Sequence, residues 1–519
     1  MRVAIVGSGV SGISALWLLN EYSEHEVNIY ETNDYPGGHT NTVQFTREGK
    51  ESCMVDTGFI VLNPPTYPNF LRFLRHLQIP LNETDMTFSI SRDHGAMEWA
   101  GGPRGLAGVF CQLTNLLNPR LYRMIFDIVR FNLFATDLLK EEGKQDGREL
   151  SIGEYLDREG YGIGFRDDYL LPMTAAIWST PADTAALDFP ASTLIRFFYN
   201  HHLLQLTGKP KWLTVKGGSK RYVDAVLKKL PPENLHLNTG IVSVATLDSG
   251  VELVEASGAR HVYDHVILAT HSDTALDMLR AGGGVSPQEE KALGPWQWSQ
   301  NEAVLHWDER LMPVRRAAWS AWNYLTLSSD KQSGVDTVSL TYGMNTLQSL
   351  PEKAHGPVLV TLNPPFPIEE SKIVGRYLYD HPMMTQRSVA AQSLLPSIQN
   401  QRRISYVGAW TKYGFHEDGF ASAMRLVTSA PFDAKPPFPF QSAQRAIQEV
   451  GPATLLGRKV MTFAERARHE LVPAWIWVSW VIVALLVWAE QVLARVGLHG
   501  VRREVVRIRG CWVDEKKRR

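Results

Sequence analysis

Three features of the 519-residue sequence predict an α/β fold: an N-terminal strand, glycine turn, helix and second strand; short apolar strands near residues 241–270 and 404–407; and an uncharged run at 471–489. Together they describe a Rossmann-type domain assembled from separated stretches of chain, an α+β domain interleaved with it, and a C-terminal membrane helix. The composition, 44% hydrophobic and 21% charged, is that of a folded chain and excludes general disorder. Lys plus Arg is 53 against 54 for Asp plus Glu, so nothing points to a nucleic-acid partner held by bulk charge. Three scattered cysteines, Cys53, Cys111 and Cys511, provide neither a disulfide framework nor a metal pair, and no metal site is expected.

The first element is the strand Val3 to Val6. Its apolar run, continued to Leu19, could pass for a signal peptide, but the glycines that interrupt it are spaced for another purpose. Gly7, Gly9 and Gly12 form GSGVSG, and Ile13 to Glu21 reads as a helix. Gly7 suits the tight turn and Gly9 lets backbone approach a pyrophosphate at the positive helix end. Gly12 lets helix and strand pack closely. A pyrophosphate is therefore expected along Ser8 to Gly12, Ser11 included. The strand Val27 to Tyr30 ends at Glu31, nineteen residues after Gly12, where a carboxylate can accept ribose hydroxyls.

NAD and FAD both use such a unit. A second glycine pair, Gly37 and Gly38, is followed by His39 and Thr40; taken alone it reads as an ordinary surface turn, and as part of a longer site it allows backbone close to a second stretch of cofactor. Distant segments decide between the cofactors. They are Lys216 to Ser219, the strand Ile241 to Val244 with Val242, and HVILAT ending in Ala269 and Thr270. The last is ISYVGAWTKYGFHEDGFASAMR, from Ile404 to Arg425. A cofactor held from both ends of the chain is long, which favours FAD. Gly408, Ala409, Asp418, Gly419 and Ser422 are expected to border it. Ser422 is expected to start a helix whose N-terminus would stabilise negative charge on the reduced ring.

In this order the motifs resemble the flavin-containing amine oxidase superfamily over roughly the first 430 residues. GGHTNT, DTGFIVLN, AIWSTP, VKGGSKRYV and GFHEDG are similar to a branch of NAD/FAD-binding oxidoreductases associated with cyclopropane fatty acid synthases. The resemblance implies FAD chemistry and points toward lipid modification. Two departures stand out. His39 occupies the position after the glycine pair where the superfamily usually has Arg. The strand Asn301 to His306 lacks the lysine that many amine oxidases place there, which weakens amine oxidation and leaves FAD binding intact.

The anchors divide the chain. Residues 1–62, 206–275 and 402–430 are assigned to the FAD-binding domain, and 63–205 and 276–401 to the substrate domain. The first substrate stretch reads as helix-rich, with Tyr67 to Leu77 and Pro119 to Lys140; the second holds strands at Val304 to Trp307, Thr337 to Tyr342 and Val358 to Leu362. Residues 431–470 are a Pro-rich linker and helix. The run 471–489 would span ~28 Å as a helix, close to the hydrocarbon thickness of a bilayer. Trp475, Trp477, Trp480 and Trp488 suit its interfaces; a buried core helix is the alternative. The basic tail, 490–519, suits anionic headgroups or plain solvation. The expected location is a membrane with the FAD domain facing the cytosol, and an in-plane or re-entrant anchor would reconcile a cytosolic domain with a cytosolic tail.

Catalytic residues are less legible. His416 and Glu417 lie in the loop expected over the flavin, where either could exchange a proton with substrate or could shape the loop by hydrogen bonds. Trp178, Trp410 and Tyr413 could wall the pocket or belong to the core. His201 and His202 read as a packing pair. Three functions remain open from sequence: a membrane-anchored oxidoreductase of an acyl chain or other lipid, a tail-anchored amine oxidase, and a flavoprotein without turnover that serves as an assembly partner.

Overall fold

The computed structural model describes residues 1–102, 105–141, 149–178, 187–205, 210–328, 337–441, 443, 447, 451–495, 505, 506, 508 and 509. Its centre is a five-stranded parallel sheet in the order Leu235–His236, Glu26–Tyr30, Arg2–Val6, His265–Leu268, Ile404–Tyr406. Val3 pairs with both Val27 and His265, and Val266 with Ile404, so strands from three separated stretches of chain lie in one sheet. His265–Leu268 and Ile404–Tyr406 are buried throughout, as a parallel sheet covered on both faces requires. The helices Val10–Tyr22 and His416–Val427 pack against each other beside it.

The second layer is a seven-stranded mixed sheet. Its order is Ile373–Pro382, Trp298–His306, Leu359–Leu362, Thr337–Gly343, Trp322–Leu327, Phe88–Arg92, Met97–Gly101. The last two strands come from 63–205, the stretch read as helix-rich; its helices, among them Pro119–Phe134 and Ala191–Asn200, follow them. The sheet binds the two substrate stretches through the parallel pairing of Tyr324 with Ile90.

The expected boundary near residue 63 is displaced. The helix Pro68–His76 packs into the first domain, where Phe73 lies 4.7 Å from Trp17 and 5.1 Å from Phe420 between ring centroids. Its aromatic face finds its partners there, not among the substrate strands.

The C-terminal expectation also needs correction. The run 471–489 is not a separate span but part of one 44-residue helix, Pro452–Arg495. That helix begins on the protein body, where Arg458 pairs with Asp137 and Arg130 with Glu465. Its first half carries Lys459, Arg466 and Arg468 besides, so the apolar run continues a charged helix. Among the described residues no helix is long and apolar enough to cross a membrane. The side chains of 469–480, and most of the basic tail, lie outside the described residues.

Candidate functional site

The N-terminal glycine turn is built as a cradle. A Cβ on Gly12 would fall 1.9 Å from the Gly7 carbonyl oxygen, so the crossing of turn and helix excludes any side chain there. A Cβ on Gly9 would meet nothing within 4 Å, because Gly9 faces open space. Gly9, Val10 and Ser11 line a cavity of about 330 Å³. The helix Val10–Tyr22 starts there with no side-chain cap and no acidic residue in its first turn. Its first N–H groups are left for an anion.

Glu31 closes this end. Its Oε2 accepts from Ser8 N at 3.0 Å and Ser8 Oγ at 2.5 Å, and its Oε1 accepts from Asn33 N and Nδ2, both at 3.0 Å. Four donors fill the acceptor sites of one carboxylate. A ribose hydroxyl would therefore replace Ser8 Oγ or Asn33 Nδ2, the two donors on rotatable side chains. Ser8 Oγ also accepts from Gly37 N at 3.1 Å, tying the second glycine pair to the first. Gly38 lies directly over Gly9, since its Cβ would sit 3.2 Å from the Gly9 Cα.

The middle of the cavity is lined by His39, Ala269, Thr270, Gly408, Ala409 and His416. Trp410 also lines it and donates its indole N–H to the Thr270 carbonyl at 3.1 Å. Trp178 and Tyr413 stand behind this wall, with Trp178 Nε1 donating to Tyr413 O at 3.0 Å. Thr40 Oγ1 bridges Tyr222 OH at 2.7 Å and His416 Nε2 at 2.9 Å. Val242 does not line the cavity. The strand bulges between Ile241 and Ser243, and the Val242 side chain is exposed to solvent.

The helix after the glycine-rich turn begins at His416, not at Ser422. Ser422 holds the turn beneath the cavity, accepting from Gly408 N at 3.0 Å and donating to Gly419 O at 2.8 Å. Asp418 Oδ2 accepts from Tyr413 N and Phe415 N. Glu417 and Asp418 both occupy the helix's first turn, and burial raises the pKa of each, Glu417 to about 7. With two acids already there, this helix end is poorly suited to hold further negative charge, contrary to expectation. Glu417 does not line the cavity. Its carboxylate accepts from Phe70 N at 2.9 Å and from Asn69 Nδ2 at 2.5 Å, capping the helix Pro68–His76. It therefore supports a neighbouring helix and does not face substrate.

His416 does face the cavity. Its ring stacks on Phe59 with centroids 3.6 Å apart, and burial lowers its pKa to about 3, so it is a neutral imidazole. Three further histidines join it. His39 lies 5.2 Å from His381, and His271 stacks on Trp298 at 3.8 Å. Asn301 Nδ2 donates to His381 Nδ1 at 3.0 Å. Burial lowers all three pKa values, His381 to about 4. His201 also lines the cavity instead of only packing, stacked on Phe197 at 3.7 Å. His271 and His381 were missed in the sequence. His271 directly follows HVILAT, a position that could have flagged it; His381 ends a strand and carries no local signal. Among the described residues no lysine lines the cavity, and no group of His, Cys, Asp and Glu could hold a metal.

The far wall is apolar and aromatic, with Met86, Phe88, Met173, Leu203, Trp212 and Tyr324. An uncapped helix end, an open glycine cradle and a carboxylate at the second strand fit a dinucleotide, and the cavity continues beyond them. The sequence profile of the flavin containing amine oxidoreductase family matches residues 10–350, more than half of the chain. The chain belongs to that family. It is an FAD-dependent oxidoreductase, and FAD, when bound, supplies a two-electron acceptor.

Solved structures share this flavoprotein's fold. The CLA-producing fatty acid isomerase from P. acnes superposes with a TM-score of 0.55 at 14% identity, over 82% of this chain and 98% of its own. Cyclohexylamine oxidase from Brevibacterium oxydans IH-35A gives 0.57 at 11% identity, over 82% and 98%. An oxidoreductase from Methanosarcina mazei gives 0.52 at 16%, over 83% and 100%. At these identities the likeness is one of fold. No curated protein matches the sequence.

The flavoenzyme's own residues divide the work. Gly9 to Gly12 and Glu31 would hold the dinucleotide; Thr40, Phe59 and Tyr222 fix the His416 ring; and the aromatic wall excludes water from the substrate end.

Proposed function

We propose that this FAD-dependent oxidoreductase works at a membrane and takes an acyl chain or a comparable apolar lipid, which it desaturates, oxidises or isomerises. The observation that carries this reading is the cavity wall. Beyond the flavin position it offers methionine, leucine and aromatic side chains, and among the described residues Asp380 is the only acidic or basic one besides the histidines. A protonated amine would have one carboxylate to meet it and five imidazoles held neutral around it. A hydrocarbon chain asks for neither charge. The attachment is the helix Pro452–Arg495 with its uncharged run at 471–489, and the nucleotide-binding domain faces the cytosol. The association with cyclopropane fatty acid synthases, implied by the branch resemblance, belongs to the same reading.

The test is anaerobic addition of an unsaturated fatty acid, or separately of a long-chain amine, to the holoprotein. The flavin absorbance is followed and the extracted lipid is analysed by mass spectrometry. A lipid with a moved or additional double bond supports the proposal; flavin bleaching accompanies the second. Reduction by the amine alone, with release of an aldehyde, overturns it. No product from either, at full FAD occupancy, points instead to an assembly role.

A further inference from the structure

The stretch from Gly105 to Asn118 has its polarity inverted. Leu106, Leu113, Leu116 and Leu117 are 74%, 81%, 50% and 60% exposed, whereas Gln112, Asn115 and Asn118 are buried. The buried amides pin the stretch to the body. Gln112 Oε1 accepts from Glu98 N at 2.9 Å, and Asn115 Nδ2 donates to Glu98 O at 2.7 Å. Asn118 Oδ1 accepts from Arg120 N at 3.1 Å at the start of the helix Pro119–Phe134. A surface turn ordinarily hides its leucines and solvates its amides. Here the hydrogen bonds of three amides hold the leucines outward, a geometry that places apolar surface on display.

A second exposed apolar face lies on the long helix, beside the Leu133 end of the helix Pro119–Phe134. Pro452–Arg495 packs on Pro119–Phe134, with Arg458 Nε donating to Leu133 O at 2.9 Å. Seven residues later Glu465 meets Arg130. The long helix therefore runs back along its partner, toward the end where the leucines lie. Its outer face exposes Leu456, Val460 and Phe463, interleaved with exposed Lys459 and Arg466. Apolar residues mixed with cations on one helix face match an anionic lipid surface, and the same helix continues into the uncharged run.

We propose that the leucine turn and the outer face of the long helix form one docking surface for an anionic bilayer, with Leu106, Leu113, Leu116 and Leu117 inserted among the lipids. This rests on the reading that the enzyme works at a membrane, and adds a second contact independent of the uncharged run. Burying two such leucines favours the bound state enough to change partitioning by about ten-fold or more.

The experiment uses the full-length holoprotein with vesicles of phosphatidylcholine, with and without phosphatidylglycerol. The Leu113→Asp/Leu117→Asp double variant should lose vesicle binding by about ten-fold or more with unchanged flavin content. Leu113→Phe/Leu117→Phe should keep it. An environment-sensitive dye on Leu116→Cys, with Cys53, Cys111 and Cys511 replaced by Ser, should shift to the blue and become shielded from an aqueous quencher. Equal sedimentation of both double variants with a dye still exposed overturns the docking surface and leaves the membrane reading standing, with the long helix alone as anchor. No binding of the unaltered chain to either vesicle overturns both. A dimer in lipid-free solution that the Asp variant dissolves also overturns the proposal, since a second copy would then be the partner.

Discussion

Two helices begin at the cavity, and they are dressed in opposite ways. Val10–Tyr22 starts from Gly9 with no capping side chain and no acid in its first turn. His416–Val427 starts with Glu417 and Asp418 in its first turn, and Asp418 folds back onto Tyr413 N and Phe415 N. Both helix ends carry the same positive dipole, so the difference lies in what the sequence puts over it. The bare end is left for an external anion; at the other the protein's own acids occupy it. The second end thereby becomes a positioning device, and His416 alone of its first three residues reaches the cavity.

Gly9→Val attacks the comparison hardest. The added side chain enters open space, so the chain should fold, while flavin binding weakens by about 100-fold or more, roughly 3 kcal/mol. Absorbance of the purified protein and its thermal midpoint report the two effects. Gly12→Ala is the counterpart: with its Cβ 1.9 Å from the Gly7 oxygen, it should not fold normally. A yellow, fully occupied Gly9→Val protein would remove the bare helix end from the binding site.

The next effect is on acid stability. Burial lowers the pKa of His416 and His201 to about 3 and of His381 to about 4, against 6.5 for a free imidazole. The unfolded chain binds these protons first. The stability contributed by the neutral rings is full above about 6.5 and is lost as pH falls toward 4, by up to about 2 kcal/mol per ring between pH 6.5 and pH 5. Asp56 and Glu417, raised by burial to about 6 and 7, act oppositely, but the depressed histidines outnumber them. Thermal midpoints should therefore fall between pH 7 and 5, and His381→Gln should flatten the fall. A midpoint that rises over that range would contradict the buried neutral cluster.

Kinetics sharpen the contrast within the second helix end. His416→Ala should slow flavin reduction by about ten-fold while flavin is retained, whereas Glu417→Gln should leave the rate within about three-fold, because only the histidine borders the cavity. Stopped-flow reduction with whichever substrate proves active measures both, and equal slowing by the two variants would restore Glu417 to the site. The smallest effect is expected from Ser422→Ala. Loss of its bonds to Gly408 N and Gly419 O should cost about 1 kcal/mol of stability without releasing flavin. Thermal unfolding checks it.

Sequence reading reached the cradle because its demands are local. Gly7, Gly9 and Gly12 must stand at fixed offsets between a strand and a helix, and Glu31 must end the next strand, so the pattern is written in consecutive residues. The strands at 304–307, 337–342 and 358–362 were legible for the same reason, as short runs of high β propensity. Phe88–Arg92 and Met97–Gly101 were not, because their place in the seven-stranded sheet depends on Trp322–Leu327 more than two hundred residues away. For His416 and Glu417 the sequence left proton exchange and loop shaping open, and it placed the helix start at Ser422, six residues late, because the direction of successive side chains, about 100° apart on a helix, depends on where that helix begins.

The sequence by itself determined the dinucleotide cradle, the family and the apolar run near the C-terminus, since backbone geometry and hydrophobic length act over neighbouring residues. Only the tertiary structure decided which titratable groups reach the cavity. His39, His271, His381 and His416 converge from four distant places, and Glu417, beside one of them, turns away to cap another helix. The same holds for the leucines at 106–117, whose outward display depends on a buried strand offering Glu98 N and O to Gln112 and Asn115. Convergence and facing are set by packing between remote segments, where the free energy of burial is distributed over many contacts and no single stretch of sequence carries it.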